Sequence, residues 1–174
     1  MIPRIDAVRL KAGEAGALDA VRRGAHETGF LSLCNTSIPR AEVERVIASY
    51  RAFFRQPEAV KRAVDLARTG SNRGWGAPLS EQVDPTANPD YKEVFDCGVT
   101  LPEGDPMAGL SVYAPTPWPH TPPDFRDIVE GYFAKARGVA LDLLSGIARA
   151  IGEDAGYFDD KFDKPMALLR GNYY

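Results

Sequence analysis

The last nine residues, MALLRGNYY, place three polar side chains at alternate positions between Met166 and Tyr174. Read as a strand, whose side chains alternate between faces, the stretch puts Leu168, Arg170, Asn172 and Tyr174 on one side and Leu169, Gly171 and Tyr173 on the other. A guanidinium, an amide and a phenol all donate hydrogen bonds, and together they suit an anionic ligand. The same alternation describes the polar, solvated face of an ordinary strand, and spacing alone favours that plainer reading. Arg73 and Trp75 in GSNRGWG form a second candidate. Arginine grips a carboxylate with two parallel bonds, tryptophan supplies a flat apolar wall, and loops often carry binding groups. The triplet alone is a weak signal, and an exposed surface loop is the favoured account of it.

Other chemistries find little support. His26 in GAHETG and His120 in WPHTPP begin no His-x-Asp or His-x-Glu pair and share no helical spacing. A zinc or iron site needs several convergent ligands, so no metal site is expected in this chain. Cys34 and Cys97 sit among apolar neighbours and read as small buried thiols. The glycines of GSNRGWG lack the Lys-Ser or Lys-Thr of a phosphate loop and the spacing of a dinucleotide fingerprint. No nucleophile elbow occurs, and DDKFDK reads as a solvated turn. No catalytic residue is assigned.

The 174 residues suffice for one domain, and 44% hydrophobic with 26% charged residues describes an ordinary globular chain. With a net charge of −3 and no basic stripe, nucleic acid is not an expected partner. No apolar run approaches a membrane span, and MIPRIDAVRL lacks a signal-peptide core. A cytoplasmic protein without a membrane partner is expected.

The elements that must position the candidates follow from periodicity. Short strands are expected at Ile2 to Ile5 and, as a buried strand, at Phe30 to Cys34. Residues 14–28 predict a helix with Leu18, Val21, Ala25 and Thr28 inward and Gly29 as its stop. A second helix runs from Ile38 to Phe54, with Val43, Val46, Ile47, Tyr50, Phe53 and Phe54 as its stripe. A short helix follows Pro57. A loop rich in Gly, Pro, Asn and Ser covers 68–90, and YKEVFDCGV predicts a strand. After a proline-rich connection, Thr121 caps and Pro122 opens a helix ending before Gly152, with Phe125, Ile128, Val129, Tyr132, Ala136, Val139, Leu143, Ile147 and Ile151 buried. At the standard rise it spans about 42 Å, so something large must lie against it. The strands are too few to cover it, and the chain reads as the helical flank of a larger sheet protein.

Seven stretches, in order, carry a resemblance to a known family: IPRID, ETGFLSLCNTSIP, RAFFRQPEAVKRA, NRGWGAP, YKEVFDCG, YFDDKFDKP and LLRGNYY. Together they resemble the N-terminal part of the isopenicillin N synthase-like non-haem Fe(II)/2-oxoglutarate-dependent dioxygenases, and they cover nearly the whole chain. One departure is Asn35-Thr36-Ser37-Ile38, where the family often has Asn-His-Gly-Ile. The resemblance implies an α+β fold whose N-terminal helices and short strands flank a double-stranded β-helix, or jelly roll. Residues 1–165 would form the flanking region and 166–174 the first part of the core. The family's His-x-Asp, second His and Arg-x-Ser are not in this sequence, so no iron ligand is carried over. What carries over is Asn172 and Tyr174, beside the 2-oxoglutarate cosubstrate, and Arg73 and Trp75, as substrate contacts near the entrance. Arg170 receives no role. The implied cofactors are Fe(II) and 2-oxoglutarate. The implied partners are a small-molecule substrate, O2 and the rest of the jelly-roll core. Two alternatives stay open: a non-catalytic α+β interaction protein, and an Fe(II) oxidase of the same family that does not use 2-oxoglutarate.

Overall fold

Asp6 shows how local chemistry starts the fold: its carboxylate accepts hydrogen bonds from the amides of Val8 and Arg9 at 2.9 and 3.1 Å, capping a helix. The computed structural model describes residues 1–82, 86 and 88–174. Part of the expected loop, at 83–85 and 87, lies outside the described residues. The chain divides into two compact units, residues 1–40 with 134–163 and residues 41–133 with 164–174.

In the first unit, β1 (Arg4–Asp6) runs parallel to β2 (Ser32–Cys34), with Ile5 beside Leu33. The Asp6-capped helix is α1 (Ala7–Lys11), which the sequence reading did not include. Next, α2 (Ala15–Arg23) passes into a π turn, Gly24–Thr28, closed by Gly29 at φ 69°. The expected helix is present, but the wider π turn rotates its inner face, so Gly24 is buried and Ala25 is exposed. Phe30 and Ser32 are exposed while Leu31 and Leu33 pack inward. This corrects the fully buried strand: a two-stranded sheet covers one face only. Ile5, Leu10, Val21 and Ala150 form this unit's core. Ile151, expected on the buried stripe, is exposed at the helix end.

The second unit holds most of α3 (Arg40–Phe54), α4 (Glu58–Arg62) behind Pro57, and α5 (Leu66–Thr69), capped by Asp65. Its sheet is antiparallel, in the order β3 (Gly74–Gly76), β4 (Glu93–Gly98), β5 (Leu168–Tyr173). β3 lies inside the expected glycine-rich loop, because Trp75 pairs across to Phe95. Gly74 has φ 105°, and a β-carbon there would sit 2.3 Å from the carbonyl oxygen of Val64. Only glycine meets both demands. The long helix α6 (Phe125–Ile151) starts three residues after the expected Pro122. The carbonyls of Pro122 and Asp124 accept from Phe125 and Ile128, so 122–124 form the turn before it. Residues 125–133 of α6 serve this unit and residues 134–151 the other. Among the described residues no helix is long and apolar enough to cross a membrane.

Candidate functional site

The aromatic core of the second unit decides which way β5 faces. Phe53 stacks on Phe125 at 4.9 Å and meets Phe95 edge-on at 5.0 Å. Tyr173 stacks on Phe54 at 5.2 Å between ring centroids, the rings nearly parallel. Gly171 leaves room for the Tyr50 ring, which a β-carbon would meet at 2.4 Å. Leu169, Gly171 and Tyr173 are thus held toward the helices, and alternation sends Leu168, Arg170, Asn172 and Tyr174 to the opposite, exposed face. The side chains of Asn172 and Tyr174 have no hydrogen-bond partner among the described residues, and Tyr174 is 92% exposed.

Arg170 is not free. It lies directly across from Asp96 on β4. Its Nε and Nη2 donate to both Asp96 oxygens at 2.8 and 2.7 Å, and Nη1 reaches Glu81 at 2.9 Å. The Asp96 hydrogen bond leads the effects that raise the guanidinium's pKa above the usual arginine range. Glu81 is also paired with Lys92 at 3.1 Å, and Lys92 with Asp90. Three carboxylates therefore surround two cations, and the anion-gripping trio of Arg170, Asn172 and Tyr174 reduces to the last two.

Arg73 and Trp75 point elsewhere. Arg73 is fully buried, and its Nη2 donates to the carbonyls of Val99 at 2.7 Å and Val112 at 2.5 Å. Its Nε and Nη1 have no partner among the described residues, and burial pulls the guanidinium below the usual arginine range. The Trp75 indole donates to Glu93 at 2.7 Å, and Lys61 holds the same Glu93 oxygen at 2.6 Å. Lys61 also donates to the Phe54 carbonyl and lies 5.3 Å from the Trp75 ring centroid. Neither residue of the pair belongs to an exposed loop. This network was missed in the sequence; the only signal was a Lys and a Glu flanking apolar elements.

Beside β5, a groove of about 410 Å³ is lined by Val43, Ile47, Tyr50, Phe54, Tyr132 and Tyr173, among others. Ile47 faces this groove, which is why an expected core residue is half exposed. Cys97 is buried as expected, and burial pushes its thiol up to about 12. Cys34 is only partly buried and donates to the Ile5 carbonyl. Both histidines are exposed. Among the described residues no three His, Cys, Asp or Glu side chains converge to hold a metal ion. Asp96, the buried acid of the sheet, has both oxygens taken by Arg170. Among the described residues no set of side chains fits an iron centre.

Residues 2–121 match the family model described as non-haem dioxygenase in morphine synthesis, N-terminal. A 2-oxoglutarate-dependent dioxygenase, frbJ, of Dothideomycetidae sp. (strain 11243) is 34% identical over 79% of this chain and 37% of that protein. Jasmonate-induced oxygenase 4 of Arabidopsis thaliana is 27% identical over 93% of this chain and 44% of its own length. Among solved structures, a full-length Neurospora crassa protein in complex with alpha-KG and thymine matches with a TM-score of 0.79 and 26% identity, covering 97% of this chain and 54% of that one. A putative 2OG-Fe(II) oxygenase family protein from Caulobacter crescentus shares the fold, with a TM-score of 0.82. The chain spans about half the length of these relatives or less.

Proposed function

Because the chain belongs to the non-haem dioxygenase N-terminal family, we propose that it is the N-terminal region of an Fe(II)- and 2-oxoglutarate-dependent dioxygenase that oxidises a small organic substrate with O2. Residues 1–165 form its flanking region, and 166–174 begin the jelly-roll core. The cytoplasm is the compartment proposed with it, on the sequence grounds given above. The observation that carries the reading is the family match across 2–121, with likeness to the alpha-KG-bound Neurospora crassa protein over nearly all of this chain.

Asn172 and Tyr174 are the residues we assign to 2-oxoglutarate. Their support is local: both lie on the exposed face of β5, and neither is committed to another group among the described residues. An amide and a phenol can each donate to a carboxylate oxygen. Alone they are weak. A hydrogen bond to a charged group nets about 1.5–3 kcal/mol, and even millimolar binding needs about 4 kcal/mol. They orient a cosubstrate held chiefly by groups outside this sequence. For Arg73 and Trp75, the buried positions favour a supporting role under the substrate entrance; direct substrate contact is the competing outcome of the same variants.

The test is turnover of 2-oxoglutarate by the full-length gene product with and without Fe(II), followed by Asn172→Ala. We expect metal-dependent consumption and a raised KM for 2-oxoglutarate in the variant. Metal-dependent O2 consumption that ignores 2-oxoglutarate would instead identify an oxidase of the same family. No consumption under either condition would favour a binding role.

A further inference from the structure

We propose that Arg170 is a positioning residue for the cosubstrate side of β5, not an anion ligand: its fork, closed on Asp96 and Glu81, holds Asn172 in register. This deepens the 2-oxoglutarate reading and rests on it. Asp96 is only 2% exposed and sits on the central strand of the sheet. Both its oxygens are bound by Arg170. A buried carboxylate is tolerated when its partner is well placed and costly when that partner is lost. Arg170 and Asp96 are opposed in the ladder, so the two bonds close in one register only. A slip of one residue would turn Arg170, and Asn172 with it, toward the helices.

Asn172 follows Arg170 on the same face, roughly 7 Å along the strand. Glu81 adds a second anchor from the segment preceding β4. Its Nε, Nη1 and Nη2 are each already donating to a carboxylate, and with three carboxylates against two cations among the described residues around it, the guanidinium has no surplus charge to offer an anionic ligand. What it offers is a fixed place for its neighbour.

The experiment uses the full-length gene product and two variants, Asp96→Asn and the neutral pair Asp96→Asn/Arg170→Gln. 2-Oxoglutarate is titrated calorimetrically under nitrogen with Fe(II) present, and amide hydrogen exchange is followed across residues 168–173. Positioning through the fork predicts binding about tenfold weaker in both variants, the scale seen when groups supporting a ligand shell are removed. It also predicts faster exchange in 168–173. Tighter 2-oxoglutarate binding by Asp96→Asn would overturn the proposal, since a freed guanidinium would then be acting as the anion ligand. Unchanged affinity with faster exchange would leave the fork a purely structural clamp and overturn it too. If the wild-type protein binds no 2-oxoglutarate, the parent reading falls with it, and the exchange arm alone decides whether the fork fixes β5.

Discussion

Replacing Trp75 with phenylalanine separates a supporting tryptophan from a substrate wall. Trp75 is 1% exposed, and its indole N–H donates to Glu93 at 2.7 Å. Phenylalanine removes that donor, and a hydrogen bond to a charged acceptor nets about 1.5–3 kcal/mol. It also removes about 50 Å² of buried apolar ring, worth roughly 1 kcal/mol at 25 cal/mol per Å². Lys61 continues to hold the same carboxylate, so Glu93 is not left bare. The sum is about 2.5–4 kcal/mol, a large share of a typical 5–15 kcal/mol stability. Urea denaturation of the wild type, Trp75→Phe, Glu93→Gln and the double variant measures it. A glutamine oxygen at 93 still accepts from the indole, so the cycle should return the charged part of the bond, a coupling of about 1 kcal/mol between the two positions. A loss below about 1 kcal/mol with no coupling, joined to a raised substrate KM, would refute the supporting role and restore Trp75 as a substrate contact.

Three further outcomes are expected. Gly171→Ala should destabilise by about 1–3 kcal/mol through overpacking, because its β-carbon would meet the Tyr50 ring at 2.4 Å; a thermal melt checks this. Between pH 9 and about 12 the unfolded Cys97 thiol ionises while the folded one keeps its proton. The unfolded state then binds fewer protons, so stability should fall by about 1.4 kcal/mol per pH unit in that window. Denaturant midpoints should show a shallower fall in Cys97→Ala, with a residual slope from Tyr50, whose proton burial also retains. At about pH 8 a thiol reagent should modify Cys34 before Cys97, which is readable by mass after brief exposure.

Much of the fold was legible because its signals are local. The alternation in LLRGNYY marked the two faces of β5, and the three- and four-residue stripes marked α3 and α6. What escaped depended on partners distant in sequence. GWG is a strand only because Phe95 lies across from Trp75, and nothing near residue 75 records residue 95. Gly24 replaced Ala25 on the inner face because a π turn breaks the 3.6-residue period. Arg73 offered a charged side chain that composition places outside; two carbonyls from residues 99 and 112 accept its protons inside. For the candidate site, the free pair Asn172 and Tyr174 lay on the face that alternation assigned. The capture of Arg170 by Asp96, 74 positions away, did not follow from any spacing.

The most direct measurement is the 2-oxoglutarate dependence of Fe(II)-supported O2 consumption by the full-length gene product, compared with Asn172→Ala. A dioxygenase with Asn172 beside the cosubstrate requires 2-oxoglutarate in the wild type and shows a several-fold higher KM for it in the variant. Consumption independent of 2-oxoglutarate, or a KM that Asn172→Ala leaves unchanged, would contradict it.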